Sequence, residues 1–309
     1  MRKRRKKKLS FFRTLIILAF IVVIYNFLRT RYNETKYYVD SPLDSIGNIF
    51  SQVFTNGDYK TDNKRTLKRN LQKEADGGND KARWIVDNFD YLDDNLIYLA
   101  GNDTDAIDFV YNYSNNITDF EYYPGESVDL ERSTPYFLQW DNRWAYDYLG
   151  DSVIGLAGCG PTSMAMVLAR LEGDISIDPA KIALDAQNYM TDEGIAWKFF
   201  NYEANRYGYT AYDISNDEGA IIDALEKGPL IVSVNKGIFT LFGHILVIDS
   251  YQDGKFVIND PNSMKKSEKS WSYDEIKDQI AHIWLVNWFF KQNTRKLQSA
   301  LSSVFYNSF

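Results

Sequence analysis

A basic and apolar N-terminal segment divides this chain into two parts that fold in different surroundings. Residues 1–33 contain ten of the 35 basic residues and no acidic residue. Residues 9–28 are mostly apolar and would span about 30 Å as a helix, the thickness of a bilayer's hydrocarbon core. Arg13 is the one charge within them, and it lies near enough to the end to extend toward the interface. The segment therefore predicts a transmembrane anchor at 9–28.

The basic residues that precede the apolar segment predict its orientation. Under the positive-inside rule, residues 1–8 form a basic cytoplasmic tail and the rest of the chain lies outside the cell membrane. This is the arrangement of a bacterial single-pass membrane protein that contacts the lipid bilayer through its N-terminal helix. A cleaved signal peptide is the alternative, although no small-x-small cleavage site follows the apolar run. The apolar run also weakens a nucleic-acid interpretation of the basic cluster.

Composition beyond this segment excludes several classes of protein. The rest of the chain carries the other 25 of the 35 basic residues and all 42 acidic residues, so we expect no nucleic-acid partner. One cysteine excludes an internal disulfide framework and a cysteine-rich zinc site. Two histidines leave little room for a histidine-built metal centre, and we expect neither metal nor cofactor. A lone thiol also suits an oxidising exterior.

The exterior part divides by its residue pattern into four stretches. Residues 29–63 are polar with little periodicity and predict a stalk. Residues 64–125 predict a small helical module, and residues 133–288, rich in Trp and Tyr, predict the main domain. Residues 289–309 carry apolar residues at helical spacing and predict a C-terminal helical tail. The helical spacing within the module is carried by Ala82, Ile85, Val86, Phe89, Ala106, Phe109, Val110 and Tyr113.

Short elements of both kinds are predicted within the main domain. The pattern predicts helices at 161–171, 179–189, 196–207 and 218–227, and strands at 230–234, 245–248 and 256–258. The residues Gln252-Asp253-Gly254 predict the turn between the last two strands. Helices followed by strands indicate an α+β domain with an antiparallel sheet.

Cys159 lies between two glycines, in the sequence Gly-Cys-Gly-Pro-Thr-Ser. The glycines allow a tight turn and the close approach of a substrate, and Pro161 suits the first turn of a helix. The residues that follow are apolar enough for a central buried helix, which places Cys159 at its N-terminus. The helix dipole there stabilises a thiolate and makes the thiol a usable nucleophile. The alternative is a buried, unreactive cysteine.

Two residues near neighbouring predicted strands are candidates to activate this thiol. His244 opens one strand after a glycine and is a candidate general base. Asp260 directly follows the next strand, and antiparallel pairing would bring its carboxylate to His244 to fix the imidazole tautomer. Asn259 or Asn262 can take that place by geometry. A structural histidine and a turn at Asn-Asp-Pro-Asn are the alternatives.

Gln139 and His282 are weaker candidates. Gln139 lies upstream of the nucleophile, and its side-chain NH₂ would complete an oxyanion hole with the backbone N–H of Cys159. A glutamine can equally be a surface residue. His282 follows the predicted strand pair and has no acidic residue placed to orient it, so we interpret it as structural.

Four short motifs in order resemble cysteine peptidase family 39-like proteins, relatives of the double-glycine peptidases in the papain-like clan. They are Gln-Trp-Asp-x-Arg-Trp, Gly-Cys-Gly-Pro-Thr-Ser-x-Ala-Met, Gly-His before a β-run, and Asp-Pro-Asn-Ser. The resemblance covers residues 134–288. The stretch from Ser267 to Trp284 and the helical segment 64–113 also look like membrane-anchored forms from Gram-positive bacteria.

The resemblance implies a papain-like α+β fold with an antiparallel sheet, preceded by the transmembrane helix and the small helical module. By motif position, Cys159 matches the nucleophile, His244 the base, Asp260 the orienting carboxylate and Gln139 the oxyanion donor. The implied activity is that of a cysteine-type hydrolase acting on a peptide or protein. Because the chain shows neither a Walker motif nor a further apolar span, the double-glycine preference is not carried over.

Three functions are compatible with the sequence. The first is a membrane-anchored extracytoplasmic cysteine peptidase that hydrolyses peptide amides by a Cys-His-Asp mechanism. The second keeps the site but acts on the peptide amides of peptidoglycan, which the exterior location favours. The third is a non-catalytic surface binding module on the same fold, whose 16 % aromatic residues and acidic balance would serve a partner surface. The physiological substrate and the oligomeric state do not follow from the sequence.

Overall fold

The computed structural model describes residues 59–120 and 128–288. These residues belong to one compact unit that begins at Gly57. The predicted tail 1–8, the anchor 9–28, most of the stalk 29–63, residues 121–125 of the helical module and the tail 289–309 lie outside the described residues. Within the described ranges, no helix has both the length and the apolar character needed to cross a bilayer.

Four helices fill the first described range, as the apolar spacing predicted. Asparagine or aspartate side chains cap the first three by accepting a backbone N–H of the first turn. The apolar faces of the four helices meet in a common core around Leu67, Ile85 and Phe109. The helices are α1 (Lys64–Asp76), α2 (Asp80–Asp87), α3 (Asp94–Asn102) and α4 (Ile107–Ser114), with a 3₁₀ turn at Thr104–Ala106.

A six-stranded antiparallel sheet forms the centre of the second described range. Its strands are β5 (Thr210–Asp213), β6 (Leu230–Val234), β7 (His244–Gln252), β8 (Lys255–Asn259), β9 (Ser270–Trp271) and β10 (Ile280–Asn287). Their order across the sheet is β5-β10-β6-β7-β8-β9. The three strands predicted from sequence are confirmed as β6, β7 and β8, and a turn at Asp253 and Gly254, both with positive φ, joins the last two.

Helices cover both faces of this sheet. The side chains of β7 point alternately to one face and to the other. Ile245 and Val247 point into the core formed with α6 (Cys159–Glu172). Leu246 and Ile248 point to the other face, where α9 (Glu218–Leu225) packs. Residues 160–169 of α6 are all buried, in agreement with the central buried helix that the sequence predicted. The expected α+β class with an antiparallel sheet is therefore confirmed.

The four predicted helices of the main domain are also confirmed, with shifted ends. The helix predicted at 161–171 is α6, which begins two residues earlier and ends before Gly173 in a left-handed conformation. The others are α7 (Pro179–Ala186, continued by a 3₁₀ turn at Gln187–Tyr189), α8 (Lys198–Arg206) and α9. Shorter elements are β1 (Tyr148–Leu149), β2 (Ser152–Val153), α5 (Ile154–Ala157), β3 (Met190–Thr191), β4 (Gly194–Ile195), α10 (Met264–Ser267) and α11 (Tyr273–Ile276), with a 3₁₀ turn at Lys277–Gln279.

The helical segment packs directly against the part of the chain that leads into α6. Ala145 and Val153 of the main domain are buried within the core of the four helices. Phe109 of α4 lies so close to Gly155 that a Cβ atom there would be 2.4 Å from its Cζ atom. The first helices therefore support the segment that carries Cys159.

Candidate active site

Cys159 is the first residue of α6, so the predicted position at a helix N-terminus is confirmed. The residue is half-buried. The glycines beside it have a packing role. A Cβ atom at Gly158 would lie 2.4 Å from the carbonyl oxygen of Ile154, and one at Gly160 would lie 2.5 Å from Cγ2 of Ile195. The turn into α6 and the β3–β4 hairpin thus both require glycine at these positions.

His244 and Asp260 form a buried pair beside the start of α6. His244 is the first residue of β7, and Asp260 directly follows β8, so pairing of the two strands brings them together. Nε2 of His244 lies 2.7 Å from Oδ1 of Asp260. Because the carboxylate engages Nε2, Nδ1 is the ring nitrogen left for the interaction with Cys159 that lowers the pKa of the thiol.

Burial and neighbouring charges shift the pKa values of Cys159 and His244 in opposite directions. Burial by itself raises the pKa of the Cys159 thiol, but hydrogen bonding to His244, its charge, and the N–H groups of Ile245 and Gly160 lower it overall. Burial lowers the pKa of His244, but the Asp260 carboxylate and the contact with Cys159 raise it to about 9. The site therefore favours a thiolate beside an imidazolium.

The Asp260 backbone is held by several hydrogen bonds. Its N–H donates to Oγ of Ser267 at 2.8 Å, and its carbonyl accepts from the hydroxyl of Tyr136 at 2.9 Å. The N–H of Asn262 donates to Oδ1 at 2.8 Å. Burial raises the pKa of Asp260, whereas His244, Lys60 and the Asn262 N–H hold it below its usual value. The carboxylate is therefore ionised and fixed in orientation.

The neighbouring asparagines have other partners. Oδ1 of Asn259 accepts from Nη1 of Arg132 at 2.7 Å, and its Nδ2 donates to the carbonyl of Thr134 at 3.2 Å. Asn262 contributes its backbone N–H to Asp260. Of the three residues that the sequence left open for orienting the histidine, Asp260 is the one that contacts His244.

Gln139 is buried and links two segments of the site. Its backbone N–H donates to the carbonyl of Pro261 at 2.8 Å, and its Nε2 donates to the carbonyl of Gly155 at 3.0 Å. One amide hydrogen is thus used to hold the turn before α6, and the second is available for an acceptor. Gln139 is therefore not a surface residue, and its expected role as an oxyanion donor stays a prediction.

His282 lies apart from this pair and has an acidic partner, contrary to the expectation from sequence. It lies on β10, which β6 separates from β7. Its Nε2 is 2.8 Å from Oδ1 of Asp213 on the adjacent strand β5. Its ring packs against Trp197 and Trp284. Sequence position could not show this pairing, because 69 residues separate His282 from Asp213.

Sequence reasoning missed the residues that hold the Asp260 segment. Arg132 donates from Nη1 to the carbonyl of Ile258 at 2.8 Å and from Nη2 to the carbonyl of Ser267. Lys60, at the end of the predicted stalk, is buried. These residues lie in no motif and follow no periodicity, so the local sequence carried no signal for them.

The solved structures that resemble this chain include two peptidase domains of transporters. One is the peptidase domain of Streptococcus ComA, a bifunctional ABC transporter involved in a quorum-sensing pathway, at 19 % identity, with 43 % of this chain and 92 % of that chain covered and a TM-score of 0.34. The other is a double-glycine-motif protease from an AMS/PCAT transporter in complex with the leader peptide, at 20 % identity, with 50 % and 89 % covered and a TM-score of 0.34.

A search among curated proteins finds no match. The sequence model of the Peptidase_C39 like family matches residues 131–288, just over half of the chain. The matched range contains Cys159, His244, Asp260 and Gln139 and excludes the four N-terminal helices. The chain therefore belongs to the Peptidase_C39 like family, as the four motifs had indicated.

Proposed function

We propose that this protein is a cysteine peptidase that hydrolyses peptide amide bonds with Cys159 as nucleophile and His244 as general acid and base. The observation that carries the proposal is the buried His244–Asp260 pair, with 2.7 Å between Nε2 and Oδ1, next to a thiol whose pKa is lowered. Family membership supports the same activity. A nucleophile at a helix N-terminus facing a base on a sheet is also the arrangement of a papain-like peptidase.

The first half of the reaction forms an acyl-enzyme. The thiolate of Cys159 attacks the amide carbonyl carbon, and the carbonyl oxygen takes the negative charge of the tetrahedral intermediate. The second amide hydrogen of Gln139 and the backbone N–H of Cys159 are the proposed donors to this oxygen. The His244 imidazolium then gives its proton to the leaving nitrogen, the C–N bond breaks, and the amine departs.

The second half regenerates the thiol. Neutral His244 removes a proton from a water molecule, which attacks the thioester carbonyl. Collapse of this intermediate breaks the C–S bond and releases the carboxylic acid and the Cys159 thiolate beside protonated His244. Asp260 acts throughout by holding the imidazole orientation and stabilising its charged form.

We also propose that the catalytic domain lies outside the cell membrane, joined to it by the segment 9–28. The support is the sequence alone, through the apolar length of this segment and the basic residues that precede it. Digestion of intact cells with an added protease tests the location. Loss of an epitope placed in the catalytic domain supports it, and protection of that epitope until the cells are lysed contradicts it.

The experiment that tests the activity is cleavage of a proteome-derived peptide library by the purified chain and by its Cys159→Ala and His244→Ala variants. We expect both variants to lose cleavage. The chain offers a matched control in His282→Ala, because His282 also pairs with an aspartate but lies on β10, which β6 separates from the strand of His244. This control should keep cleavage.

Two outcomes would redirect the proposal. Cleavage that survives Cys159→Ala would show that the thiol is not the nucleophile. Release of muropeptides from purified cell walls, with no cleavage of the library, would instead assign the site to peptidoglycan amides. Absence of both activities would favour a binding module.

A further inference from the structure

Lys60 is a buried cation that precedes the first helix. Its ammonium group lies 2.6 Å from Oδ2 of Asp103, and the exposed fractions of the two side chains are 7 % and 3 %. The backbone N–H of Lys60 donates to the carbonyl of Gly237 at 3.2 Å. A lysine and an aspartate are rarely buried to this extent unless paired, so the arrangement holds this segment in a defined place.

Asp103 extends this contact to the segment that carries the orienting carboxylate. Its other oxygen, Oδ1, accepts a hydrogen bond from the hydroxyl of Ser263, which is 1 % exposed. The N–H of Ser263 in turn donates to the carbonyl of Asp260 at 3.2 Å. A continuous chain of polar contacts therefore runs from Lys60 through Asp103 and Ser263 to Asp260.

The charge of Lys60 also acts on Asp260 electrostatically. Burial lowers the pKa of Lys60, but the carboxylates of Asp103 and Asp260 raise it above its usual value, so the ammonium stays charged. In the opposite direction, Lys60 helps to hold the pKa of Asp260 low. Tyr136, whose hydroxyl donates to the Asp260 carbonyl, is neutral, because burial raises its pKa well above the usual range.

The charge of Lys60 matters because one carboxylate oxygen of Asp260 has no hydrogen-bond donor among the described residues. Oδ1 of Asp260 accepts from His244 and from the Asn262 N–H. Among the described residues, Oδ2 of Asp260 is buried and has no hydrogen-bond partner. Lys60 therefore compensates part of the cost of burying a carboxylate whose second oxygen has no donor.

We propose that Lys60 is a positioning residue for the Cys159–His244–Asp260 site, acting through Asp103 and Ser263 and through its charge. This inference rests on the proposed function. Lys60 and Asp103 both precede residue 131, where the family match begins. The catalytic domain of this chain is thus completed by a segment that the family match does not include.

The single cysteine of the chain provides the test, because alkylation by iodoacetamide reports on Cys159 alone. The rate is measured against pH for the full chain, for Lys60→Met and for the double variant Lys60→Met/Asp103→Asn. The double variant removes both charges and keeps an acceptor for Ser263, so no buried carboxylate is left unpaired. Lys81→Met is the matched control, since its pair with Asp108, at 3.1 Å, joins two helices of the same segment away from the site.

Loss of Lys60 should loosen the contacts through Asp103 and Ser263 that orient Asp260, and with them the hydrogen bond that holds the imidazolium beside the thiolate. We expect the acid limb of the alkylation profile to move to higher pH by about half a unit to one unit in both Lys60 variants. Circular dichroism should show folded protein, and Lys81→Met should leave the limb in place.

The outcomes separate this inference from the proposed function. If wild-type Cys159 alkylates as an ordinary thiol, the proposed function fails. If the wild type shows the low pKa and the folded double variant keeps the same profile with only a lower unfolding midpoint, Lys60 is purely structural and the inference is wrong. A double variant that cannot fold assigns Lys60 the same structural role and also counts against it.

Discussion

Nε2 of His244 lies 2.7 Å from Oδ1 of Asp260 because β7 begins where β8 ends. The two residues are sixteen positions apart in sequence, on opposite sides of a hairpin. Both side chains are buried, at 5 % and 0 % exposure. Their interaction therefore takes place where charge is poorly screened, and it controls the protonation state of the histidine.

Removing the charge of Asp260 should shift the alkaline limit of activity. In Asp260→Asn an oxygen still accepts from Nε2, but the carboxylate that raises the pKa of His244 to about 9 is gone. We expect this pKa to fall toward 6.5, and kcat/KM at pH 8 to fall by about tenfold or more. The measurement is the pH profile of kcat/KM for the best library peptide. Asp213→Asn, at the other histidine, is the control, and an unchanged alkaline limb in Asp260→Asn would contradict the assignment.

The pH dependence of stability should differ between the wild type and Cys159→Ala. The raised pKa of His244 contributes stability that is complete below pH 6.5 and is lost as the pH rises through about 9. In the wild type, the lowered pKa of the Cys159 thiol acts in the opposite direction, because the folded state releases that proton at a lower pH than the unfolded state. Cys159→Ala removes this compensation, and the pKa of His244 loses the contribution of Cys159 but keeps the larger one of Asp260.

We therefore expect the unfolding free energy of Cys159→Ala to fall more steeply than that of the wild type between pH 6.5 and 9. Urea unfolding at several pH values within this window measures it. A second variant, Cys159→Ala/His244→Gln, should lose the added slope. Parallel curves for the wild type and Cys159→Ala would mean that the thiol and the imidazole do not titrate as a pair.

Truncation of Gln139 should lower the rate of the chemical step without changing the pKa of the Cys159 thiol. If the Gln139 amide stabilises the oxyanion, Gln139→Ala lowers kcat by about a hundredfold, while the acid limb of Cys159 alkylation stays in place. Single-turnover kinetics and the alkylation profile give both quantities. Because the side chain also bonds to Gly155, a loss confined to thermal stability would make Gln139 structural only.

Adding a methyl group at Gly155 should destabilise the fold, because Phe109 packs against this glycine. In Gly155→Ala the new Cβ would lie 2.4 Å from Cζ of Phe109 and 3.0 Å from the carbonyl oxygen of Ala145. We expect destabilisation by about 1–3 kcal/mol, measured by urea unfolding. Adding Phe109→Leu should recover part of it. Gly243→Ala, where no atom lies within 4 Å of the new Cβ, is the control; an equal loss there would contradict the packing argument.

Replacing Arg132 by lysine should impair both stability and activity. The Arg132 guanidinium contacts Ile258, Asn259 and Ser267 through two nitrogens, which the single ammonium of lysine cannot reproduce. We expect Arg132→Lys to lower both the unfolding midpoint and kcat/KM, because the Asp260 segment loses its support. The control is Arg83→Lys, whose guanidinium bonds to one carbonyl in the helical segment. Equal activity in the two variants would refute a role for Arg132 at the site.

Local sequence was sufficient to predict the helices and strands whose residue spacing or turn residues mark them. The glycines and proline around Cys159 predicted a helix that begins near the thiol, and α6 begins at that residue. Short apolar runs joined by a turn predicted β7 and β8, and with them the neighbourhood of His244 and Asp260. Helix and strand periodicities depend on residues within a few positions of each other. They can therefore be recognised in the sequence without knowledge of the tertiary contacts.

The sequence by itself determined four helices and three strands of the main domain, the α+β class and the positions of the family motifs. Tertiary structure alone decided that Lys60 is buried against Asp103, that Asp213 pairs with His282, and that Arg132 supports the segment after β8. These contacts join residues that are 43, 69 and 126 positions apart. The physical reason is that contacts at such separations depend on how whole helices and strands pack, which no local periodicity or propensity encodes.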